Sequence, residues 1–356
     1  MNGNRQLWSG PAAALVAAVL FGLSAPAAKL LAGAVDPWLL AGLLYLGSGV
    51  GLGVLVLARR LGGATTREAR LTRRDLPPHA GAIVTGGMIG PVLLMFALVQ
   101  GSASGSALLL NLEGVFTALL AAVLFGEHVP ARIAVGMVAI AGGAVALAGK
   151  DGSGRGFTIE MSALLVVGAC VAWAIDNNLS RAVSATDPVE VAALKGAVAG
   201  AVNVGIALAR GAAWPVAPVA LAAAVVGFLG YGTSLVVFIR ALRHLGTSRT
   251  GAYFSTAPFL GAVAGVIGLR EPVSSGLVIG ATLMAAGVWL HLTERHVHEH
   301  VHETITHEHA HRHDEHHQHD HPGDSPAIEP HTHGHTHWGL HHHHPHYPDL
   351  HHRHGH

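Results

Sequence analysis

The chain is short of charge. Only 12% of its 356 residues are Asp, Glu, Lys or Arg, about half of the ~25% usual in soluble domains. Even that figure flatters the first 292 positions, because nine of the 21 acidic residues and 25 of the 29 histidines follow Arg295. Such a composition argues against a soluble fold. Cysteine is nearly absent. Cys170 stands alone inside an apolar run, which excludes an intramolecular disulfide and a cysteine-based metal site and leaves it as a small buried hydrophobe. There is no nucleotide-binding glycine loop, no dinucleotide fingerprint and no Ser/His/Asp set that can be placed in one site, so no enzyme is expected. No motif requires a cofactor. The formal net charge is +0 with neutral histidine, which offers nucleic acid no electrostatic footing.

What the chain does have is apolar runs. A helix needs about 20 residues to cross a hydrocarbon layer of roughly 30 Å. Ten runs qualify: 11–34, 37–58, 78–99, 103–125, 131–149, 160–180, 188–209, 216–239, 247–269 and 273–292. Lipid cannot satisfy an open strand edge, so each is read as a helix. The first run is longer than the ~7–15 apolar residues of a cleaved signal and is read as a retained span. Basic residues set the orientation. Arg59, Arg60, Arg67, Arg70, Arg73 and Arg74 cluster between helices 2 and 3. Placing them inside puts 12 basic residues on the cytoplasmic side before the tail and five (Lys29, Lys150, Arg155, Arg210 and Arg270) outside. Both termini are then cytoplasmic. Arg outnumbers Lys 18 to 3, which with the abundant Ala and Gly suggests a GC-rich bacterial genome and hence a bacterial inner membrane.

The chain also repeats. Lys29 with Asp36-Pro37 matches Arg181 with Asp187-Pro188. Further on, a constant offset of 144 aligns Ala97-Leu98 with Ala241-Leu242, Ala118 with Ala262, Glu127 with Glu271, Gly136 with Gly280 and Gly143 with Gly287. Each unit holds five helices, an odd number, so the second enters the membrane inverted. Inverted repeats are an architecture of secondary transporters, which place the substrate near the midplane between the halves. The predicted fold is therefore an all-α membrane protein. Its parts are two inverted five-helix repeats, 11–149 and 160–292, and a disordered cytoplasmic tail, 293–356.

In these features the chain resembles the drug/metabolite transporter superfamily, and within it the EamA-type domains. The likeness is carried by the two five-helix units, by Leu124-Phe125-Gly126-Glu127 at the end of helix 4, and by its counterpart Leu269-Arg270-Glu271-Pro272 after helix 9. A glycine-spaced helix follows each. Ala257-Pro258 in helix 9 fits the family's frequent proline there; Glu113-Gly114, at the aligned place in helix 4, departs from it. The resemblance covers 11–292. It implies export or exchange of small metabolites, often coupled to ions, and says nothing of the tail.

Ionisable and amide groups within the spans are the candidates for substrate contact and coupling, because they are expensive in lipid. Glu113 lies near the centre of helix 4, beside Asn111. A carboxyl that gains and loses a proton can couple transport to a proton gradient; a permanently protonated, hydrogen-bonded Glu is the structural alternative. Asp176 in helix 6, followed by Asn177 and Asn178, lies within reach of Lys195 in helix 7, because a short loop joins the two helices. The pair either serves the substrate or simply orders the helices. Lys195 and Asn203 are eight residues apart and point within about 80° of each other, so they can line one cavity; amides also serve as interhelical glue. Trp8, Trp38 and Trp214 sit at helix ends as interface anchors. Glu127 and Glu271 are expected to cap helices or form salt bridges.

The tail carries the densest signal. Its candidate metal ligands are His296, His298, His300 and His302, then His307, His309, His311 and His313, then His331, His333, His335 and His337, with further His at 341–344. Neutral imidazole suits Ni, Zn, Co and Cu. With few large apolar side chains and five prolines in 296–356, such a segment is expected to stay unfolded. Three functions compete. The first is a secondary exporter of a small metabolite with a metal-binding regulatory tail. The second is a divalent-metal transporter loaded by the tail. The third is a membrane metal sensor or store that does not transport. The expected partners are a small-molecule substrate, the bilayer and divalent metal ions. A homodimer is compatible with all three.

Overall fold

The computed structural model describes residues 3–62, 75–127, 129–150, 158–180, 187–293, 297–301, 305–311, 331–337 and 341–345. It contains ten helical spans: α1 (Gly10–Ala32), α2 (Pro37–Leu61), α3 (Leu76–Gln100), α4 (Ala103–Phe125), α5 (Ala131–Ala148), α6 (Met161–Ser180), α7 (Pro188–Ala209), α8 (Ala217–Leu242), α9 (Arg249–Gly268) and α10 (Ser275–Leu292). All ten agree with the apolar runs to within a few residues. Leu30, Val123, Val138 and Ile267 are 70–80% exposed, a distribution that only a lipid surround stabilises.

The repeated dipeptides have a local cause. Asp36 accepts hydrogen bonds from the backbone N–H groups of Trp38 and Leu39 at 2.9 and 3.2 Å, and Asp187 accepts one from Val189 at 2.8 Å. Each Asp is the N-cap of its helix and each Pro takes the first position, where a missing N–H is harmless. The aligned ends of α4 and α9 also share a backbone conformation. Gly126 has φ +68°, and Arg270, 144 positions later, has φ +57°, the only positive φ outside glycine among the described residues. Glycine takes this region freely; arginine pays for it.

Two helix pairs form the frame. α2 packs on α7 and α5 on α10, in each case through glycine. A Cβ on Gly49 would overlap the backbone nitrogen of Ala197, and one on Gly143 would lie 2.8 Å from the carbonyl oxygen of Gly280. The reciprocal holds as well: a Cβ on Gly280 would lie 2.9 Å from the Gly143 carbonyl. Lipid gives no hydrophobic push between helices, so such backbone-to-backbone approach is where their association energy comes from.

The departures from α-helix repeat too. α3 contains a π-helical stretch, Ile83–Ile89, and α8 contains another, Phe228–Thr233. α4 tightens to a 3₁₀ turn where Asn111 N–H donates to Leu108 at 3.0 Å; α9 does the same where Thr256 N–H donates to Tyr253 at 3.2 Å. Both correspondences are offset by 145 positions. One boundary differs from expectation. Between α8 and α9 helical hydrogen bonding persists from Ser234 to Phe254. Yet the rings of Phe238 and Phe254 lie 4.7 Å apart, where a straight helix would separate them by about 24 Å. The chain thus reverses within helical backbone, where a loop was expected; no proline interrupts 234–254.

The chain forms two units, Met1–Thr293 and Glu294–His356. Within the second, the described residues are paired: Val297–Val301 runs antiparallel to His341–Pro345, and Ile305–His311 to His331–His337. His296, His302 and His313 lie outside the described residues.

The glycine seam gives a direct test. Gly49→Ala should lower the thermal unfolding temperature in detergent, since overpacking typically costs about 1–3 kcal/mol. Gly53→Ala, which meets open space, should leave it unchanged. Equal melting of the two variants would show that α2 and α7 do not approach as described.

Candidate functional site

The polar residues of the membrane interior collect around the π-helical stretch of α3. A π-turn leaves backbone carbonyls out of the regular ladder, and lipid cannot answer them. Gly86 is the clearest case. Its carbonyl accepts from the Tyr45 hydroxyl on α2 at 2.7 Å and from the Trp173 indole N–H on α6 at 2.9 Å. The Gly87 carbonyl accepts from the Asn203 amide on α7 at 3.4 Å. Asn203 is fully buried, and its own carbonyl oxygen has no partner among the described residues. The amide thus props the π-turn and does not simply line a cavity beside Lys195.

Asp176 and Lys195 form a direct ion pair between α6 and α7. Their side chains are 8% and 19% exposed. The second carboxylate oxygen accepts from Ser180 at 3.1 Å. The pair rests on the same π-turn. A Cβ on Gly86 would overlap the Asp176 carboxylate, and one on Gly87 would touch the Lys195 stem at 3.5 Å. Glycine at 86 therefore serves two purposes, admitting the carboxylate and exposing a carbonyl.

The next residue on α6 faces the other way. Asn177 donates to Glu113 on α4 at 2.9 Å and to the Thr117 hydroxyl at 3.2 Å. Glu113 therefore bonds the α6 amide and not its sequence neighbour. Asn111 donates to the Leu108 carbonyl at 2.8 Å and approaches Met284 Sδ at 3.9 Å, so it serves the tightened turn of α4. Asn178 donates to the carbonyls of Thr117 and Ala174 at 3.2 and 2.9 Å, as interhelical glue. The structure thus divides the candidates into three. Asp176–Lys195 and Glu113–Asn177 are two polar pairs on successive residues of α6. Asn203 supports the π-turn. Asn111 and Asn178 are structural ties.

Glu271 caps across the molecule. It accepts the backbone N–H groups of Ala103 and Ser104 at 2.6 and 2.8 Å, at the start of α4. Lys29 holds the other side of the same turn, donating to the carbonyls of Leu98 and Gly101. A cation on the end of one helix and an anion on the start of the next both match the helix dipoles. A cavity of about 440 Å³ opens beside these two residues, but both charges are already spent on the turn.

The region related to the polar pairs by the repeat is aromatic. Gly230, aligned with Gly86, faces Ser24. Tyr231 packs on Tyr45 at 5.6 Å and on Phe21 at 6.3 Å, and Phe21 packs on Phe254 at 5.3 Å. Sequence reasoning missed Tyr45, Trp173, Tyr231 and Gly86, because their roles follow from a π-turn that no residue pattern announces. His79, in the first turn of α3, is 2% exposed.

A family model described as the EamA-like transporter family matches residues 8–149 and 160–293. A protein of Methanothermobacter thermautotrophicus (strain Delta H), described as an uncharacterized transporter, is 29% identical over 298 residues, covering 80% of this chain and 86% of the relative. A solved crystal structure superposes with a TM-score of 0.58 at 23% identity, covering 80% of this chain and 95% of the other; that likeness concerns the fold.

The ion pair is open to a double-mutant cycle. Asp176→Asn or Lys195→Met alone should destabilise the protein by about 3–5 kcal/mol, since each strands a buried charge. The two together should cost less than the sum of the single changes. Additivity, read from unfolding midpoints, would mean the side chains do not meet.

Proposed function

Because this chain belongs to the EamA-like transporter family, we propose that it is a proton-coupled secondary transporter exporting a small organic metabolite across a bacterial cytoplasmic membrane. Both termini then lie in the cytoplasm. One observation carries the reading. The π-turns of α3 and α8 and the tightened turns of α4 and α9 occur in matching pairs within the spans, and two polar pairs stand beside one member of each. Discontinuous helices in equivalent places of two inverted halves are where such transporters hold their cargo. Glu113 and Asn177 are the substrate-facing pair, and Glu113 exchanges the coupling proton. A substrate that displaces the Asn177 amide changes the surroundings of the carboxyl and with them its hold on a proton.

A divalent-metal substrate is the second reading, favoured by the histidine tail. Against it, the described residues contain no converging group of three His, Cys, Asp or Glu side chains. The oxygen and amide groups that do converge suit hard ions better than Ni, Zn, Co or Cu. The tail is proposed as a metal-responsive regulator. In register, His307 lies opposite His335, His309 opposite His333 and His311 opposite His331. Membership of a transporter family sets aside a sensor or store that does not transport.

Proteoliposomes loaded with a pH-sensitive dye and challenged with a metabolite panel, chosen from a growth screen of a deletion strain, test the coupling. Wild-type protein should move protons with one class of metabolite, and Glu113→Gln should insert normally yet lose that flux. Wild-type flux in the variant across pH 6–8 would make Glu113 structural. The tail is tested separately by calorimetry. The full chain should bind several Ni or Zn ions, more weakly at pH 5.5 than at 7.5, because protonated imidazole is no ligand. Truncation after Leu292 should abolish this binding and leave transport of the metabolite intact. Metal-dependent transport lost on truncation would favour the second reading.

A further inference from the structure

We infer that His79 forms one proton-exchanging cluster with Asp176 and Lys195, taking up a proton when the ion pair opens. The inference rests on the transporter reading above and adds to it a second proton site, separate from Glu113.

His79 stands in the first turn of α3. It is 2% exposed, and neither of its ring nitrogens has a hydrogen-bond partner among the described residues. An imidazole always carries at least one donor. Leaving such a group buried and unanswered is costly, and groups in that state call for an explanation. A merely packed position would be served better by an apolar side chain of the same size.

Its surroundings supply the explanation. Among the described residues, the ionisable groups within electrostatic reach of His79 are Asp176 on α6 and Lys195 on α7. The same face of α3 that carries His79 lies along those two helices: Gly81 against Leu179, Gly86 against Asp176, and Gly87 against Lys195 and Ala199. α3 and α7, both odd-numbered spans, cross in the same direction. Side chains on a helix lean toward its N-terminus, so the Lys195 ammonium hangs toward the end of the bundle at which α3 begins. That end carries His79. The ammonium therefore extends toward the end of α3 that carries the imidazole.

The charge balance is simple. With the pair closed, Lys195 neutralises Asp176, and a charged imidazole beside the ammonium would be repelled. When Lys195 turns away, for example to an anionic group of the cargo, Asp176 is left with a buried negative charge. His79 then takes one proton from water and becomes the compensating cation. When Lys195 returns, the imidazolium gives that proton back to water. One proton enters and one leaves per opening and closing, and no buried charge is left alone at either stage, as the low dielectric requires.

The test uses the full-length protein in lipid nanodiscs with ¹⁵N-labelled histidine. Subtracting the spectrum of His79→Gln from that of wild type isolates one imidazole among the 29; His79→Asn replaces it if the glutamine variant does not fold. The isolated signal should titrate between pH 5 and 9. Its midpoint should shift by about one unit or more in opposite senses in the two pair variants: the proton is held more weakly in Asp176→Asn and more tightly in Lys195→Met. A signal that never titrates, or one with the same midpoint in both variants, overturns the inference. In the proteoliposome assay, His79→Gln should change the pH profile of the metabolite-driven flux. An unchanged profile would sink the His79 cluster while the transporter reading stood. Opposite midpoint shifts in a protein that moves no metabolite would support the cluster and sink the transport reading.

Discussion

Lipid offers no hydrogen bonds, and this single constraint organises the membrane unit. Wherever a helix departs from regular geometry, a neighbouring helix must supply the missing partner. Tyr45 and Trp173 answer the carbonyl of Gly86; Asn203 answers that of Gly87. At the membrane surface the same demand is met by caps. Asp36 and Asp187 start α2 and α7, and Glu271 reaches from the end of α9 to start α4. The polar side chains of this chain are few, and most are placed where backbone would otherwise go unpaired. Those left over stand out. Asp176, Lys195, Glu113, Asn177 and His79 stabilise no irregular backbone in the described contacts, and these five gather along α3, α4, α6 and α7.

The two halves share a frame and differ in what they put in it. Their π-turns and tightened turns correspond at an offset of 145 positions, and the glycines of the α5–α10 seam at 144. Around the first π-turn the neighbours are a carboxylate and an ammonium. Around the second they are Ser24 and Phe21, the latter packed on Tyr231 of the turn itself. Tyr45 belongs to both, with its hydroxyl on Gly86 and its ring on Tyr231. Inverted repeats can occupy two arrangements related by their pseudo-two-fold axis. The lining is not symmetric: Asp176 and Lys195 of the second repeat stand at the first π-turn, and aromatic rings at the second.

Much of this was legible in the sequence. The ten spans follow from apolar length alone, and the repeat from Asp-Pro and from Glu127 with Glu271. The ion pair followed from placing Asp176 and Lys195 at similar depth on helices joined by a short loop. Glu113's partner did not follow. Asn111 was nearer in sequence, and the choice of Asn177 depends on how α4 and α6 are rotated, which periodicity in a helix apolar on nearly all sides cannot fix. The π-turns were illegible for a related reason. Gly86 and Gly87 look like ordinary small residues of a membrane helix; their meaning lies in the carbonyls they uncover and the carboxylate they admit. Arg270 shows the opposite case. The alignment with Gly126 was visible, but an arginine gives no hint of a left-handed backbone.

The buried ion pair bears on function more than on stability. Removing two charges from water costs several kcal/mol each, and their attraction repays this only with good geometry and further hydrogen bonds. Two apolar residues at 176 and 195 would hold α6 to α7 at least as well, with the glycines of α3 still beneath them. A pair retained at such a cost has value when it can open, and opening needs something to compensate each charge. Lys195 can be compensated by an anionic cargo. Asp176 can be compensated only by a proton or by another cation, and the neighbouring ionisable group among the described residues is His79. Glu113, on the opposite side of α6, shares no hydrogen bond with either. Successive residues of α6 thus meet two partners, Asp176 a charge on α7 and Asn177 a carboxyl on α4. Both contacts of α6 lie where its neighbours are least regular, at the π-turn of α3 and beside the tightened turn of α4.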